Sequence, residues 1–233
     1  MRLAIISDIH GNLEALEKAL EIIATKNIDE IICLGDIVGY GASPNECVEL
    51  LLKHTSYILL GNHDQAAVHI ESAEYFNPYA RTAIEWTHKT LNSKNIKILK
   101  ELPYTLERHN VLFVHSSPRQ PDHWYYITNQ TQAHQNFPYF TQQLCFVGHS
   151  HIPDVYCDDD WTREVNKGQR FIVNVGSIGQ PRDHNNKLSF GIFDTITWKY
   201  ENVRETYDID KSSAKIYRAG LPAILGDRLF QGK

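Results

Sequence analysis

The sequence predicts an α/β fold that combines a mostly parallel β-sheet with a second β-sheet. Short apolar runs alternate with amphipathic stretches over the first half of the chain, as in βαβ units. The second half carries several further strand-like runs and few helical stretches. The 233 residues are 42% hydrophobic and 22% charged, which is an ordinary globular composition with enough apolar residues for a sizeable core.

The first strand–helix unit occupies residues 3–23. Residues 3–6 are a continuous apolar run, which is typical of a strand covered on both faces. Asn12 suits the N-cap of the helix that follows. Apolar residues recur at helical spacing opposite a charged face, at Leu13, Leu16, Leu20 and Ile23.

The same order of elements repeats twice. Residues 30–34 predict a second strand, and Ser43-Pro44-Asn45-Glu46 is a capping-box pattern that opens a helix to about residue 53. Residues 57–60 predict a third strand, and Asn77-Pro78 opens a helix to about residue 91. This alternation favours a mostly parallel sheet.

The second half predicts a different organisation. Residues 105–114 indicate two strands joined at His109-Asn110, and further strands are predicted at 144–147, 171–175, 188–193 and 198–203. Residues 116–140 are rich in Pro, Gln, Asn and aromatic residues, and predict a cap-like excursion from the scaffold. A partly helical tail begins near residue 211. Since no linker or internal repeat is visible, we expect one domain over residues 1–233.

Charge and cysteine content exclude several classes of protein. Lys plus Arg number 23 and Asp plus Glu 28, a formal net charge of −5, which argues against binding to long nucleic acid. The four cysteines form no CxxC pair, so we expect neither a zinc knuckle nor disulfides, and a reducing compartment fits. No secretory signal or membrane span is visible, so we expect a cytoplasmic protein without membrane partners. The sequence is compatible with a homo-oligomer but carries no signal for one.

Five polar motifs stand directly after predicted strands, where α/β folds assemble their sites. They are Asp8-x-His10, Gly35-Asp36, Gly61-Asn62-His63-Asp64, His115 and Gly148-His149-Ser150-His151. Each motif alone has a structural alternative, such as a turn, a helix start or a core histidine, but their joint occurrence indicates a site. Carboxylates, imidazoles and a carboxamide without a thiolate suit two divalent ions such as Mn²⁺, Fe²⁺, Ni²⁺ or Zn²⁺ better than Ca²⁺ or a structural zinc.

This ordered set resembles the signature of the calcineurin-like metallophosphoesterase superfamily. The motifs span residues 8–151, and residues 174–182 are similar to a segment of its small prokaryotic phosphodiesterase branch. The resemblance implies a four-layer αββα sandwich, in which two mixed β-sheets are flanked by helices and a dinuclear metal site lies at one edge.

The resemblance also implies the ligands of both ions. One ion would be held by Asp8, His10 and His151. The other would be held by Asn62, His115 and His149. Asp36 would bridge the ions, of which Mn²⁺ is favoured, and a hydroxide between them would be the nucleophile.

By the same resemblance, His63 is not a ligand. It would protonate the leaving oxygen, and Asp64 beside it would favour the imidazolium and orient the ring. Relatives often have glycine after the isolated histidine, where this chain has Ser116. We therefore expect the loop geometry after His115 to differ, and the metal site to be kept.

Several residues are candidates for substrate contacts. Gly176 and Ser177 predict a turn whose backbone N–H groups face a phosphate, with a tight hairpin as the alternative. Arg119 and Arg182 are candidate phosphate contacts, with solvated surface arginines as the alternative. Trp124 offers a flat face for a base, with packing of the excursion onto the scaffold as the alternative.

The leading hypothesis is a metal-dependent phosphoric ester hydrolase, acting on a small phosphodiester or nucleotide. A protein serine/threonine phosphatase and a dinucleoside polyphosphate hydrolase are alternatives that the same resemblance allows. A non-catalytic binding scaffold is the alternative of a different class. A scaffold is expected to have lost ligands or the acid histidine, and here every motif position is filled. A nuclease acting on long nucleic acid is disfavoured by the negative net charge.

Overall fold

Two five-stranded β-sheets form the centre of the computed structural model, which describes residues 1–159 and 162–233. The strands of those residues are β1 Arg2–Ile6, β2 Glu30–Cys33, β3 Tyr57–Ile58, β4 Thr105–Arg108, β5 Val111–Val114, β6 Leu144–Val147, β7 Asp154–Cys157, β8 Phe171–Asn174, β9 Leu188–Asp194 and β10 Tyr200–Glu205. The α-helices are α1 Leu13–Ala24, α2 Pro44–Leu51, α3 Asn62–Val68, α4 Pro78–Thr90, α5 Ser93–Lys100, α6 Gln130–His134, α7 Ile209–Arg218 and α8 Ala223–Asp227.

Both sheets are mixed. In the first sheet, which runs β10-β9-β1-β2-β3, the strands β1, β2 and β3 are parallel, and β9 and β10 continue it antiparallel. In the second sheet, which runs β4-β5-β6-β8-β7, the strands β5, β6 and β8 are parallel and each edge strand is antiparallel. The parallel strands therefore bring the loops that follow them to one edge of each sheet.

The apolar faces of the strands explain the layers. In β1, Leu3 and Ile5 face a core shared with the second sheet, while Ala4 and Ile6 face a core shared with α1 and α2. The outer face of the second sheet is covered by the 116–140 segment, which packs Ile127, Ala133, Phe137 and Phe140 against it. Hydrophobic side chains thus alternate between the two faces of each sheet. The predicted α/β fold of two mixed sheets flanked by helices is confirmed.

Local predictions were right in part. Asn12 caps α1, because its side chain accepts a hydrogen bond from the N–H of Ala15 at 3.2 Å. The capping box at Ser43 is wrong, since this side chain caps no helical N–H and instead accepts from Lys215 at 3.4 Å. Helices α3 and α5 and strand β7 were missed. Among the described residues, none of the helices combines the length and hydrophobicity that crossing a bilayer requires.

Candidate metal centre

Backbone hydrogen bonds fasten the motif loops to one another. The N–H of Asp8 donates to Gly35 at 3.0 Å, and the N–H of His10 donates to the carbonyl of Asp36 at 2.9 Å. The N–H of Gly148 donates to the carbonyl of His115 at 2.8 Å. These bonds continue the backbone pairing beyond the strand ends, so the motif loops are fixed relative to one another.

Most of the clustered residues have a left-handed backbone. Positive φ angles between 52° and 66° occur at Asp8, His10, Asp36, His149 and His151. Such angles are costly for residues other than glycine, at about 1–3 kcal/mol each, and they concentrate at functional sites. The loop hydrogen bonds offset this strain and turn the side chains back toward one another.

Two glycines allow carboxylates to approach the backbone. A Cβ atom on Gly61 would lie 2.1 Å from Oδ1 of Asp36. A Cβ atom on Gly148 would lie 2.5 Å from Oδ2 of Asp8. The glycines of the Gly-Asn-His-Asp and Gly-His-Ser-His motifs are therefore required by the side chains that they face.

The predicted ligands lie in two adjacent groups. The donor atoms of Asp8, His10 and His151 are all within 4.8 Å of one another, and so are those of Asp36, His115 and His149. Asn62 joins the second group, with its Oδ1 3.3 Å from Nε2 of His115. All of these side chains are buried except that of Asn62, which is half-buried.

Asp36 lies between the two groups. Its Oδ2 is 3.6 Å from Nε2 of His10 and 3.4 Å from Nε2 of His115. Its Oδ1 accepts from the backbone N–H of His63 at 2.8 Å, which fixes the carboxylate plane. Asp8 faces the first group, with its Oδ1 3.3 Å from Nε2 of His151.

The imidazoles present acceptor nitrogens to the cluster. Nδ1 of His10 lies 3.2 Å from the carbonyl of Val38, and Nδ1 of His151 lies 2.6 Å from the carbonyl of Gln180. Donation to these carbonyls assigns the proton to Nδ1 and leaves each Nε2 as a lone-pair donor. The two Nε2 atoms approach to 3.0 Å.

The donor set fits divalent cations. Oδ1 of Asp8 and Nε2 of His149 are buried and have no hydrogen-bond partner among the described residues. Buried acceptors of this kind are stabilised by a cation that they coordinate. The same nitrogen and oxygen donors suit mid-row divalent ions.

The electrostatics of the cluster also favour positive charge. Burial acts to raise the pKa of the Asp36 carboxyl, but the charge of His115 and then of His63 holds that pKa well below its usual range. Burial acts to lower the pKa of His115, but the carboxylate of Asp36 raises it to about 9. The carboxylate of Asp36 thus favours the protonated form of His115, whereas burial alone would favour the neutral ring.

His63 lies beside the cluster, at the start of α3. One of its ring nitrogens is within 4.8 Å of donor atoms of His10 and Asp36. Its ring centroid is 4.4 Å from that of Tyr40 and 4.8 Å from that of Phe76. Burial lowers the pKa of His63 to about 3, with the charge of Asp36 opposing it and that of Arg182 reinforcing it.

The structure does not join Asp64 to the His63 ring, as its predicted role would need. Its Oδ1 accepts from the N–H groups of Ile37 and Val38, at 2.9 and 3.1 Å, and its Oδ2 accepts from Gly61 at 3.1 Å. No hydrogen bond or ion pair among the described residues joins it to His63. Burial and the charge of Asp36 raise the pKa of Asp64 to about 7, so it is a poor partner for an imidazolium. Asp64 instead ties the loop that carries Asp36 to the start of α3.

Gly176 and Ser177 make hydrogen bonds within the fold. The N–H of Gly176 donates to Oδ1 of Asn174 at 2.9 Å, and Oγ of Ser177 donates to the carbonyl of Asp8 at 2.8 Å. Both residues are buried. They support the loop that carries Asp8, so the N–H of Gly176 and the hydroxyl of Ser177 are already used within the fold, and a phosphate contact at this turn stays a prediction.

Arg119 and Arg182 have different positions. The Arg119 guanidinium packs beside the rings of Tyr125 and Tyr139, at 5.6 and 5.9 Å from their centroids, and its phosphate contact stays a prediction. The backbone of Arg182 lies at the cluster, because its backbone N–H donates to the carbonyl of His151 at 3.3 Å. Its Nη2 donates to the Tyr40 hydroxyl at 3.3 Å.

A cavity of about 820 Å³ opens beside the cluster. Its lining includes Asn62, His63 and His149 on the cluster side, and Trp124 and Tyr126 from the 116–140 segment. The Tyr126 ring stacks on the His149 ring at a centroid distance of 4.1 Å. Trp124 donates through Nε1 to Oε1 of Gln65 at 3.1 Å, so it both packs and faces the cavity.

Two residues of the site had gone unnoticed in the sequence. Tyr40 has φ +58° and contacts both His10 and His63 with its ring. Phe76 also contacts the His63 ring, and the two rings meet edge to face. The flanking Gly39 and Gly41 mark a tight turn at Tyr40, whereas Phe76 carries no local signal at all.

Comparison with known proteins agrees with this geometry. The profile of the calcineurin-like phosphoesterase superfamily domain matches residues 1–197. The chain belongs to that family. An uncharacterized protein of Methanocaldococcus jannaschii is 42% identical over 99% of this chain and 98% of its own length.

Two further similar proteins carry descriptive names. The phosphodiesterase YfcE of Escherichia coli is 24% identical over 83% of this chain and 88% of its own length. A metallophosphoesterase from Sphaerobacter thermophilus has a crystal structure that superposes with a TM-score of 0.89. It is 39% identical, over 100% of this chain and 99% of that one.

Proposed function

We propose that this chain is a dinuclear-metal phosphoesterase that hydrolyses small phosphodiesters or nucleotides. The observation that carries the proposal is the pair of donor groups that share Asp36. Asp8, His10 and His151 would hold one ion, Asn62, His115 and His149 the other, with Asp36 between them. When bound, two divalent ions, with Mn²⁺ favoured, supply Lewis acidity, which withdraws charge from phosphoryl oxygens and lowers the pKa of water.

The protein's own groups would position the ester and move one proton. The cavity beside the cluster has room for the leaving group, and His63 lies at the boundary between the two. His63 would protonate the leaving oxygen. An anionic phosphate beside this ring would raise the pKa of His63, as the charge of Asp36 does. The higher pKa would favour the protonated ring that the step needs.

The diester hypothesis has the support of a named relative, since the similar Escherichia coli protein is called a phosphodiesterase. The negative net charge supports small substrates over long nucleic acid. The complete donor set supports an enzyme over a scaffold. Four free, buried cysteines support our placing the protein in the reducing cytoplasm.

The test is a substrate panel. Protein treated with a chelator is assayed with Mn²⁺, Fe²⁺, Ni²⁺ or Zn²⁺ against a phosphomonoester, an aryl phosphodiester, a dinucleoside polyphosphate and a phosphopeptide. We expect the highest kcat/KM for a diester or nucleotide, and only after metal is restored. Hydrolysis that does not depend on metal, or no hydrolysis of any member with any ion, would contradict the proposal.

A further inference from the structure

Two arginines converge on Tyr40 at the edge of the candidate metal centre. Nη2 of Arg182 lies 3.3 Å from the Tyr40 hydroxyl. The guanidinium carbon of Arg228 lies 4.3 Å above the centroid of the same ring. Because the Tyr40 ring also contacts His10 and His63, both cations are one ring away from the cluster.

Neither arginine uses the carboxylate beside it in sequence. Asp183 is bound by Nη1 and Nη2 of Arg204, at 2.9 and 3.0 Å. Asp227 accepts from the Tyr217 hydroxyl at 2.5 Å. Over residues 1–159 and 162–233, no ion pair joins Arg182 or Arg228 to an acidic side chain.

The charge of Arg228 is poorly compensated by the fold. Its Nε and Nη2 are buried without a hydrogen-bond partner among the described residues. Burial lowers the pKa of Arg228 to about 10, and the nearby charge of Arg182 acts in the same direction. Burying a cation is costly unless an anion or hydrogen-bond acceptors balance it. Arg182 differs in that its Nη2 donates to Oε1 of Gln180 at 2.9 Å and to the Tyr40 hydroxyl, but it too has no acidic partner among the described residues. The two guanidinium groups therefore form a site that an external anion would stabilise.

The fold holds Arg228 in this position. It begins the short C-terminal 3₁₀ turn Arg228–Gln231, which follows α8 directly. The N–H of His184 donates to the carbonyl of Gly232 at 2.9 Å, and the Asn186 amide donates to Phe230 at 3.2 Å. The C-terminal turn is thus fastened to the loop that carries Arg182.

Arg182 links this pair to the cluster. The backbone N–H of Arg182 donates to the carbonyl of His151. Burial lowers the pKa of His151, and the charge of Arg182 lowers it further. Guanidinium groups bind phosphate through paired, directed hydrogen bonds. On the basis of the proposed hydrolysis at the metal centre, we propose that Arg182 and Arg228 form an anion subsite for a second phosphate of the substrate. The substrate would then carry one phosphate whose ester bond is hydrolysed and a second phosphate that the two arginines bind.

The test compares substrates that differ by one phosphate. The parent is the 4-nitrophenyl ester of thymidine 5′-monophosphate. One analogue adds a 3′-phosphate, and another replaces the monophosphate by a diphosphate. The two analogues distinguish a second phosphate across the nucleoside from one adjacent in a polyphosphate chain.

The variants are Arg228→Met, which keeps the apolar stem without the charge, and Arg228→Lys, which keeps a charge without the planar fork. Arg218→Met, at an exposed position of α7, is the matched control. A melting curve for each variant checks that it is folded. The quantity measured is the ratio of kcat/KM for each analogue to that for the parent.

In the wild type and in Arg218→Met, we expect this ratio to exceed about tenfold for one analogue, because charged hydrogen bonds to a phosphate contribute on that scale. It should approach one in Arg228→Met and be partly kept in Arg228→Lys. Hydrolysis of the parent with the same ratio in wild type and Arg228→Met would overturn the subsite and leave the phosphoesterase proposal standing. If the parent is not hydrolysed, calorimetric binding of the 3′-phosphate and diphosphate analogues decides, and equal affinities in both proteins overturn the subsite.

Discussion

The cluster of metal donors and the wall of the neighbouring cavity are built in opposite ways. Each donor belongs to one of five short motifs that begin within three residues of the end of a strand, and backbone hydrogen bonds join several of those motifs. The wall combines Tyr40, Phe76 and Trp124, and Arg228 lies over the Tyr40 ring. These residues come from separate segments without a common pattern. The donors are therefore specified locally, whereas the wall exists only after the chain has folded.

The two regions also differ in exposure and in backbone conformation. Asp8, His10 and Asp36 are at most 1% exposed and have strained backbones that the surrounding hydrogen bonds fix. In the wall, Tyr75 is 85% exposed and Tyr126 is 50% exposed. We therefore expect changes in the cluster to affect every substrate, and changes in the wall to discriminate among substrates.

The largest effect is expected from Asp36→Asn. The amide keeps the size of the side chain but removes the charge that lies between the two donor groups. Metal content should fall and hydrolysis should drop to background for all substrates. The control is Asp210→Asn, an exposed position in the first turn of α7, which should leave both unchanged. Retention of two metals with full activity would show that Asp36 does not join the groups.

His63→Gln should separate metal binding from proton transfer. The variant should keep its metals and lose about 10²- to 10⁴-fold in rate for esters with poor leaving groups. The loss should be smaller for 4-nitrophenolate, which needs little protonation to depart. Elemental analysis beside the rates checks both parts. A metal-free variant would mean that His63 is a ligand.

Trp124→Ala should distinguish the wall from the cluster. We expect binding of nucleotide substrates to weaken by about 1–3 kcal/mol, the scale of one base–aromatic stack. Turnover of small aryl phosphodiesters should stay within a few-fold. Trp198→Ala, which removes a half-buried ring packed against the core between the sheets, is the control for simple destabilisation. Equal losses on both substrate types would show that Trp124 only packs the segment down.

The smallest effect is expected at Glu14 of α1, which forms ion pairs with α7. Its carboxylate lies 2.7 Å from Nζ of Lys215 and 3.2 Å from Nζ of Lys211. Burial acts to raise the pKa of Glu14, but the hydrogen bond from Lys215 lowers it below the ordinary value of 4.5. The carboxylate therefore stabilises the folded state above pH 4.5, and this contribution is lost as pH falls through the folded-state pKa.

Glu14→Gln should accordingly lower the free energy of unfolding by about 1–2 kcal/mol at pH 7. The difference from wild type should shrink as the pH falls through the acid range. Denaturant unfolding at several pH values measures it. Glu17→Gln, on an exposed position of the same helix, should change little. A difference that grows on acidification would contradict the assigned ion pair.

The same contrast explains what could be predicted from sequence. The presence of the strands and the identities of the clustered residues followed from local pattern, because each motif continues an apolar run. The strand ends followed less well, since β2 ends at Cys33 and β3 at Ile58, before the predicted residues 34 and 60. The roles of Asp64 and Ser177 did not follow, since each side chain is used by backbone groups distant in sequence. Arg228 was missed for a related reason. Its proposed role depends on its position over the Tyr40 ring, and most of the sequence lies between these two residues.

A stoichiometric metal titration tests the central claim most directly. Metal-depleted protein is titrated with Mn²⁺, and bound metal and hydrolysis of bis(4-nitrophenyl) phosphate are measured in the same samples. We expect activity to rise with bound metal and to reach its plateau when two ions are bound per chain. Full activity in protein shown to be metal-free, or a plateau at one ion that further binding does not change, would contradict a dinuclear centre.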